Sequence, residues 1–174
     1  MNSSVKTSRD QATQALDAAV YSQNQAAVID WMLAIISSPG SDNEAQLQCA
    51  IYLKNKFGRT NYAATDEQAF RSGQAHIYQR LTQGSYLQLV TSIPNGRIAE
   101  HVSILMGNII KSNINQYCKE HEEQDDDEKF KVINAQLSTL VKTKLFVTDQ
   151  NSDLSLVFKH MHLVLDNLKR SDVP

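Results

Sequence analysis

The chain has 174 residues, of which 41% are hydrophobic and 21% charged, with a formal net charge of -2. These values argue against wholesale disorder and allow one domain with a real core or several stacked helical repeats. The near-neutral total hides a division, because Glu120, Glu122, Glu123, Asp125, Asp126, Asp127 and Glu128 form an acidic run without a Lys or Arg inside it, leaving the remainder at net +5. Two cysteines, Cys49 and Cys118, do not make a disulfide framework and point to a reducing compartment. No apolar run reaches the roughly 18 residues of a membrane span, and Met1-Asn2-Ser3-Ser4-Val5-Lys6 lacks the apolar core of a signal peptide. Cytoplasm and nucleus are the expected locations, with no membrane partner.

The alternation of strands is absent, and apolar residues recur at helical spacing throughout. Ser8 or Asp10 can cap a first helix over residues 9–22, with Ala12, Ala15, Leu16, Ala19 and Val20 on a narrow apolar face. A second helix over 25–37 is apolar nearly all round, from Ala27 through Trp31 and Met32 to Ile36, so burial between neighbours and a core role for Trp31 are expected. Ser38-Pro39-Gly40-Ser41 ends it. Asp42 or Asn43 caps a third helix over 43–57, with Leu47, Ala50, Ile51, Leu53 and Phe57 inward.

Asp66 opens a fourth helix over 66–91, expected to break near Gln83-Gly84-Ser85, with Ile77, Leu81, Leu87 and Val90 in the core. Ile93-Pro94-Asn95-Gly96 is a turn, and a fifth helix follows over 97–118 with Ile98, Val102, Leu105 and Ile109 inward. The acidic stretch 120–128 is expected as a loop. A sixth helix over 128–146 places Phe130, Ile133, Leu137, Leu140, Val141 and Leu145 inward, and a seventh over 154–168 places Leu154, Phe158, Met161, Leu165 and Leu168 on one side.

About seven helices joined by short polar turns give an all-α fold in a single domain spanning residues 1–174. Their lengths suit antiparallel pairs in a HEAT-like right-handed superhelical stack, the alternative being a closed helical bundle. Phe158, Met161 and Leu165 are the residues that an uncapped stack would leave uncovered.

One short signature adds to this. Arg9-Asp10-Gln11-Ala12-Thr13-Gln14-Ala15-Leu16 resembles the first helix of importin-β-type nuclear transport receptors, in which an A-x-x-x-L segment precedes an apolar second helix, here Val28 to Ile36. The family's third helix carries a signature close to A-x-I/L-x-L-K-N, where this chain has Ala50-Ile51-Tyr52-Leu53-Lys54-Asn55. The resemblance covers about residues 9–62. Two features depart from the family: Tyr62 stands where a Trp usually follows the signature, and the receptors are several times longer. The resemblance implies a HEAT-repeat scaffold whose N-terminal inner helices bind the GTPase Ran in its GTP form, or a basic cargo.

The sequence contains no phosphate-binding glycine loop, nucleophile elbow or metalloprotease helix motif. A non-enzyme is therefore expected, with no catalytic, cofactor or metal site. Nucleic acid is not the expected partner, because Lys54, Lys56, Arg59, Arg71, Arg80 and Arg97 are scattered along the chain. The candidate partner-binding residues are Asp30, which interrupts an apolar helix, and Glu122, Glu123, Asp125, Asp126 and Asp127, whose mutual repulsion a basic partner would relieve. A self-contained helical adaptor, viral or bacterial and unrelated to transport, is the alternative function. A small helical metal-dependent enzyme using His121, His160 and His162 is the third, Cys118-x-x-His121 and His160-x-His162 being the zinc-type ligands in the sequence. It is the weakest, because two histidines two positions apart on a helix point in different directions.

Overall fold

The structure is a computed structural model that describes residues 11, 13–22, 24–59, 67–148 and 153–169. Among these, every regular element is helical: α1 (residues 13–20), α2 (Gln25–Ser37), α3 (Asn43–Phe57), α4 (Glu67–Gln83), α5 (Tyr86–Ser92), α6 (Gly96–Glu120), α7 (Asp126–Leu140), a π-helical turn (Val141–Leu145) and α8 (Leu154–Lys169). The fold is all-α, as its periodicity requires. Ser8, Asp10, Ala12, Tyr62 and Asp66 lie outside the described residues.

Short polar side chains set the helix starts. Asp42 accepts from the Ala45 amide at 3.0 Å, Ser85 from Gln88 at 3.2 Å, Asn95 from Arg97 at 3.0 Å and Asp125 from Asp127 at 2.9 Å. The break expected near Gly84 separates α4 from α5. At the other end, α7 does not run on to residue 146. The Phe146 amide bonds the Val141 carbonyl five residues back at 3.0 Å, which makes the last turn π-helical. That wider turn brings two consecutive residues, Leu145 and Phe146, into the core, where Phe146 meets Tyr86 edge-on at 5.9 Å between centroids.

Helix α6 is the axis of the molecule. Ile98, Val102, Leu105, Met106 and Ile109 are buried along it, and it packs against α3, α4, α5 and α8. Ser103 faces α8, whereas Asn108 lies near Gly58 at the end of α3. Five residues turn a helix by about 500°, so the two neighbours occupy different flanks and α3, α6 and α8 lie side by side. Helix α2 packs on α3 and α4, and α4 in turn touches α3 and α6.

Close approach at the α3–α4 contact depends on Gly73. A Cβ there would run into the Phe57 ring, and Phe57 is itself stacked on Phe70 at 6.2 Å. The third helix otherwise buries Ala50, Leu53 and Phe57, with Leu47 and Ile51 half-buried. Leu53 of the Leu-Lys-Asn signature is thus a core residue.

Three helix faces differ from the expectation. Helix α2 buries only Ile29, Met32 and Ile36, and Trp31 is 59% exposed. A helix covered by two neighbours needs one buried stripe, and Trp31 falls outside it. Helix α8 buries Val157, His160 and Val164. Its larger apolar residues form a shoulder beside that stripe, with Leu154 59% exposed, Phe158 64% exposed and Leu165 exposed as well. In α7 no residue is fully buried, and Phe130 points to solvent while Ile133, Leu137 and Leu140 are half-buried.

Candidate functional site

The interior carries polar side chains that helical periodicity alone does not pair. Gln46, on α3, donates to the carbonyls of Ile35, Ile36 and Ser38 at 3.3, 3.3 and 2.7 Å, and so satisfies the open C-terminus of α2. Gln74, on α4, does the same for α3, donating to Phe57 O at 2.6 Å and Arg59 O at 3.5 Å. Its own carbonyl accepts from Ser112 of α6 at 2.9 Å. A third network joins α5, α6 and α8. Tyr86 donates to Ser103 at 3.1 Å, and Ser103 Oγ lies 3.0 Å from the Ala99 carbonyl and 2.9 Å from His160 Nδ1. All three of these side chains are buried. Burial, reinforced by Lys159, pushes the His160 pKa down and keeps the imidazole neutral. Burial likewise pushes the Tyr86 hydroxyl up.

Gln46, Gln74 and Ser103 were not among the residues expected to matter, and His160 was expected only as a zinc-type ligand. Their signal was phase. Gln46 shares the stripe of Ala50, Leu53 and Phe57, and Gln74 that of Phe70, Ile77 and Leu81. Ser103 falls between Ala99 and Met106, and His160 between Val157 and Val164. A polar residue in register with a buried stripe must find a partner inside.

The expected partner-binding residues fall in two places. Asp30 faces α4, where His76 Nε2 lies 2.9 Å and Arg80 Nε 2.8 Å from its carboxylate, so it links α2 to α4. Glu122, Glu123, Asp125, Asp126 and Asp127 remain exposed together at the start of α7. Asp125 caps that helix, and Asp126, Asp127 and Glu128 occupy its first turn, where the helix dipole favours negative charge. Lys129 pairs with Asp126 at 2.7 Å. The run is therefore partly a helix start, with α7 beginning at Asp126 and the turn before it confined to residues 121–125.

The cations also divide. Lys56 pairs with Asp17 at 3.0 Å and sits 4.4 Å above the Tyr21 ring, while Tyr52 donates to the same Asp17 oxygen at 2.6 Å. This cluster fastens α1 to α3. Burial alone would raise the Asp17 pKa, but the hydrogen bonds from Tyr52 and Lys56 outweigh it and hold the carboxylate low. Arg71 pairs with Glu67 at 2.8 Å and Arg80 with Asp30 at 2.8 Å, so each of these two cations has an acidic partner.

Of the four zinc-type ligands, Cys118 is a free thiol and the three histidines are engaged separately. His121 stacks on Tyr117 at 4.1 Å, His160 is bound to Ser103, and His162 pairs with Asp166 at 3.2 Å. Among the described residues, no three His, Cys, Asp or Glu side chains are grouped to hold a metal. No described helix is long and apolar enough to cross a membrane.

Two surface features remain. One is the apolar shoulder of α8 at Leu154, Phe158 and Leu165. The other is a cleft of about 170 Å³ between α4, α6 and α7, walled by Ile110, Ile114, Ile133, Leu137 and Leu140, with Tyr78, Tyr117, Asn113 and Gln136 also lining it. Compared with known proteins, the chain matches no family model, no curated protein and no solved structure.

Proposed function

We propose that the chain is a helical protein-interaction scaffold and that the outer shoulder of α8 is its docking edge. The observation that carries this reading is that α8 is apolar on two adjacent faces. Val157 and Val164 pack inward, while Leu154 and Phe158, 59% and 64% exposed, do not. Large apolar side chains grouped on an exposed helix face are the usual mark of an interaction surface.

A photo-cross-linking residue at His162, which is exposed beside the shoulder, tests this in living cells of the source organism. Cross-links to discrete proteins are expected there and not from the same residue placed at Gln79, an exposed position of α4. Equal labelling from both positions would remove α8 as the docking edge.

The finer reading is a scaffold of the nuclear transport type. Its support is the Ala50–Asn55 signature together with the packing order, in which the α2–α3 pair is followed by α4, α5 and α6, and α3, α6 and α8 lie side by side. In this reading the partner is Ran in its GTP form, met by α3, α6 and α8, and the chain works in cytoplasm and nucleus. Pull-down with both nucleotide states decides it. Binding to the GTP form alone is expected. Binding to neither form, or equally to both, leaves the self-contained adaptor instead.

A further inference from the structure

We propose that the cleft beneath α7 is a binding site for a small apolar molecule with one aromatic ring and one hydrogen-bonding group. The first argument is size and lining. An aliphatic cavity of about 150 Å³ admits benzene, and this cleft offers about 170 Å³ with Ile110 and Ile114 on one wall and Ile133, Leu137 and Leu140 on the other. The side chains of Asn113 and Gln136 complete the lining. Both residues are exposed, so their amides stand at the mouth, where they can meet a phenol hydroxyl or an indole N–H.

The second argument is that α7 leaves space beneath it, because its C-terminal end is anchored on α5 and only residues 121–125 join its start to α6. Behind Leu140, the π turn drives Leu145 and Phe146 into the core against Tyr86. At its other end, His121 closes α6 itself, stacking on Tyr117 at 4.1 Å and bonding its carbonyl at 2.9 Å, and residues 121–125 carry the chain from there into α7. The middle of α7 therefore spans the cleft as a bridge. It contains no fully buried residue. A ring inserted beneath it would cover Ile133 and Leu137, and would extend the partial core packing that Leu137 and Leu140 already make.

The experiment is titration of the full chain with indole and with phenol, followed by methyl NMR of the isoleucines and leucines and by calorimetry. Saturable binding is expected, with shifts concentrated at Ile114, Ile133 and Leu137 and slower amide exchange across α7. Leu137→Trp fills the cleft from within, so it should weaken indole binding at least tenfold and leave the circular dichroism of the fold intact. Leu137→Phe, a smaller change, should weaken it less and serves if the Trp variant does not fold. Absence of saturable binding at millimolar indole and phenol would overturn the proposal. So would binding that both variants leave unchanged.

Discussion

Ser103 Oγ lies 2.9 Å from His160 Nδ1 across the α6–α8 interface, and both side chains are buried. The pair is completed by Tyr86, whose hydroxyl donates to the same serine at 3.1 Å. Three helices thus share one buried polar contact. Ser103→Ala leaves the Tyr86 hydroxyl and the imidazole without this partner, at a cost of about 1–3 kcal/mol for unsatisfied buried groups. Tyr86→Phe removes a donor but leaves Ser103 bonded to Ala99 and His160, so about 1 kcal/mol is expected. Chemical denaturation of the two variants should rank them in that order.

The same histidine sets a pH dependence. Its folded pKa lies below the ordinary value of 6.5, because burial and then Lys159 disfavour the cation. The unfolded chain therefore binds the proton more readily, and stability must fall as pH drops below about 6.5. His101, lowered by burial and by Lys54, acts with the same sign. Melting temperature measured from pH 7.5 to 5 should decline, and His160→Gln should flatten the decline. An unchanged slope in that variant would remove His160 as its source.

Asp17 produces a second, more acidic window. Its folded pKa is held below 3.8 by Tyr52 and Lys56 against the opposing effect of burial. The stability it contributes is present above that unfolded value and is lost as pH falls through the folded one. Tyr52→Phe should loosen α1 from α3, seen as faster amide exchange over residues 13–20, while α6 exchanges as before.

Gly73 and Gly84 should respond oppositely to alanine. At Gly73 the new methyl meets the Phe57 ring, and about 1–3 kcal/mol of overpacking strain is expected. At Gly84 nothing lies within 4 Å of the added carbon and the backbone has no positive φ, so Gly84→Ala should be neutral or stabilising by up to about 1 kcal/mol. Thermal melts of the two single variants give the comparison directly.

The helix limits were legible because local chemistry writes them. Asp42, Ser85 and Asn95 cap through bonds two or three residues away, and Pro39-Gly40 and Pro94-Asn95-Gly96 interrupt the pattern between them; the start of α7 at the Asp125 cap was not legible, because the acidic run reads as a loop. Which face turns inward was less legible where a helix is apolar on more than one side. In α8 the bulkier stripe at Leu154, Phe158 and Leu165 outranks Val157 and Val164 by side-chain size, yet the smaller residues are the ones that fit against α6. In α2 the one tryptophan reads as core by composition, but only the neighbours α3 and α4 decide which third of the helix is covered. The π turn was hidden for another reason: it depends on seating Leu145 and Phe146 against residues distant in the chain. The buried polar pairs are equally remote, 57 positions apart for Ser103 and His160. Asp30 was legible as an exception in an apolar helix, whereas its engagement by His76 and Arg80 was not, since those residues lie on another helix.

Gln46 and Gln74 give the chain a direction of assembly. Each sits on one helix and closes the last turn of the helix before it. The end of α2 is therefore complete only once α3 has docked, and the end of α3 only once α4 has. During synthesis, α2 and α3 would each retain a frayed final turn until the next helix leaves the ribosome and clips it shut. The order in which the helices ripen is thus carried by two amide side chains.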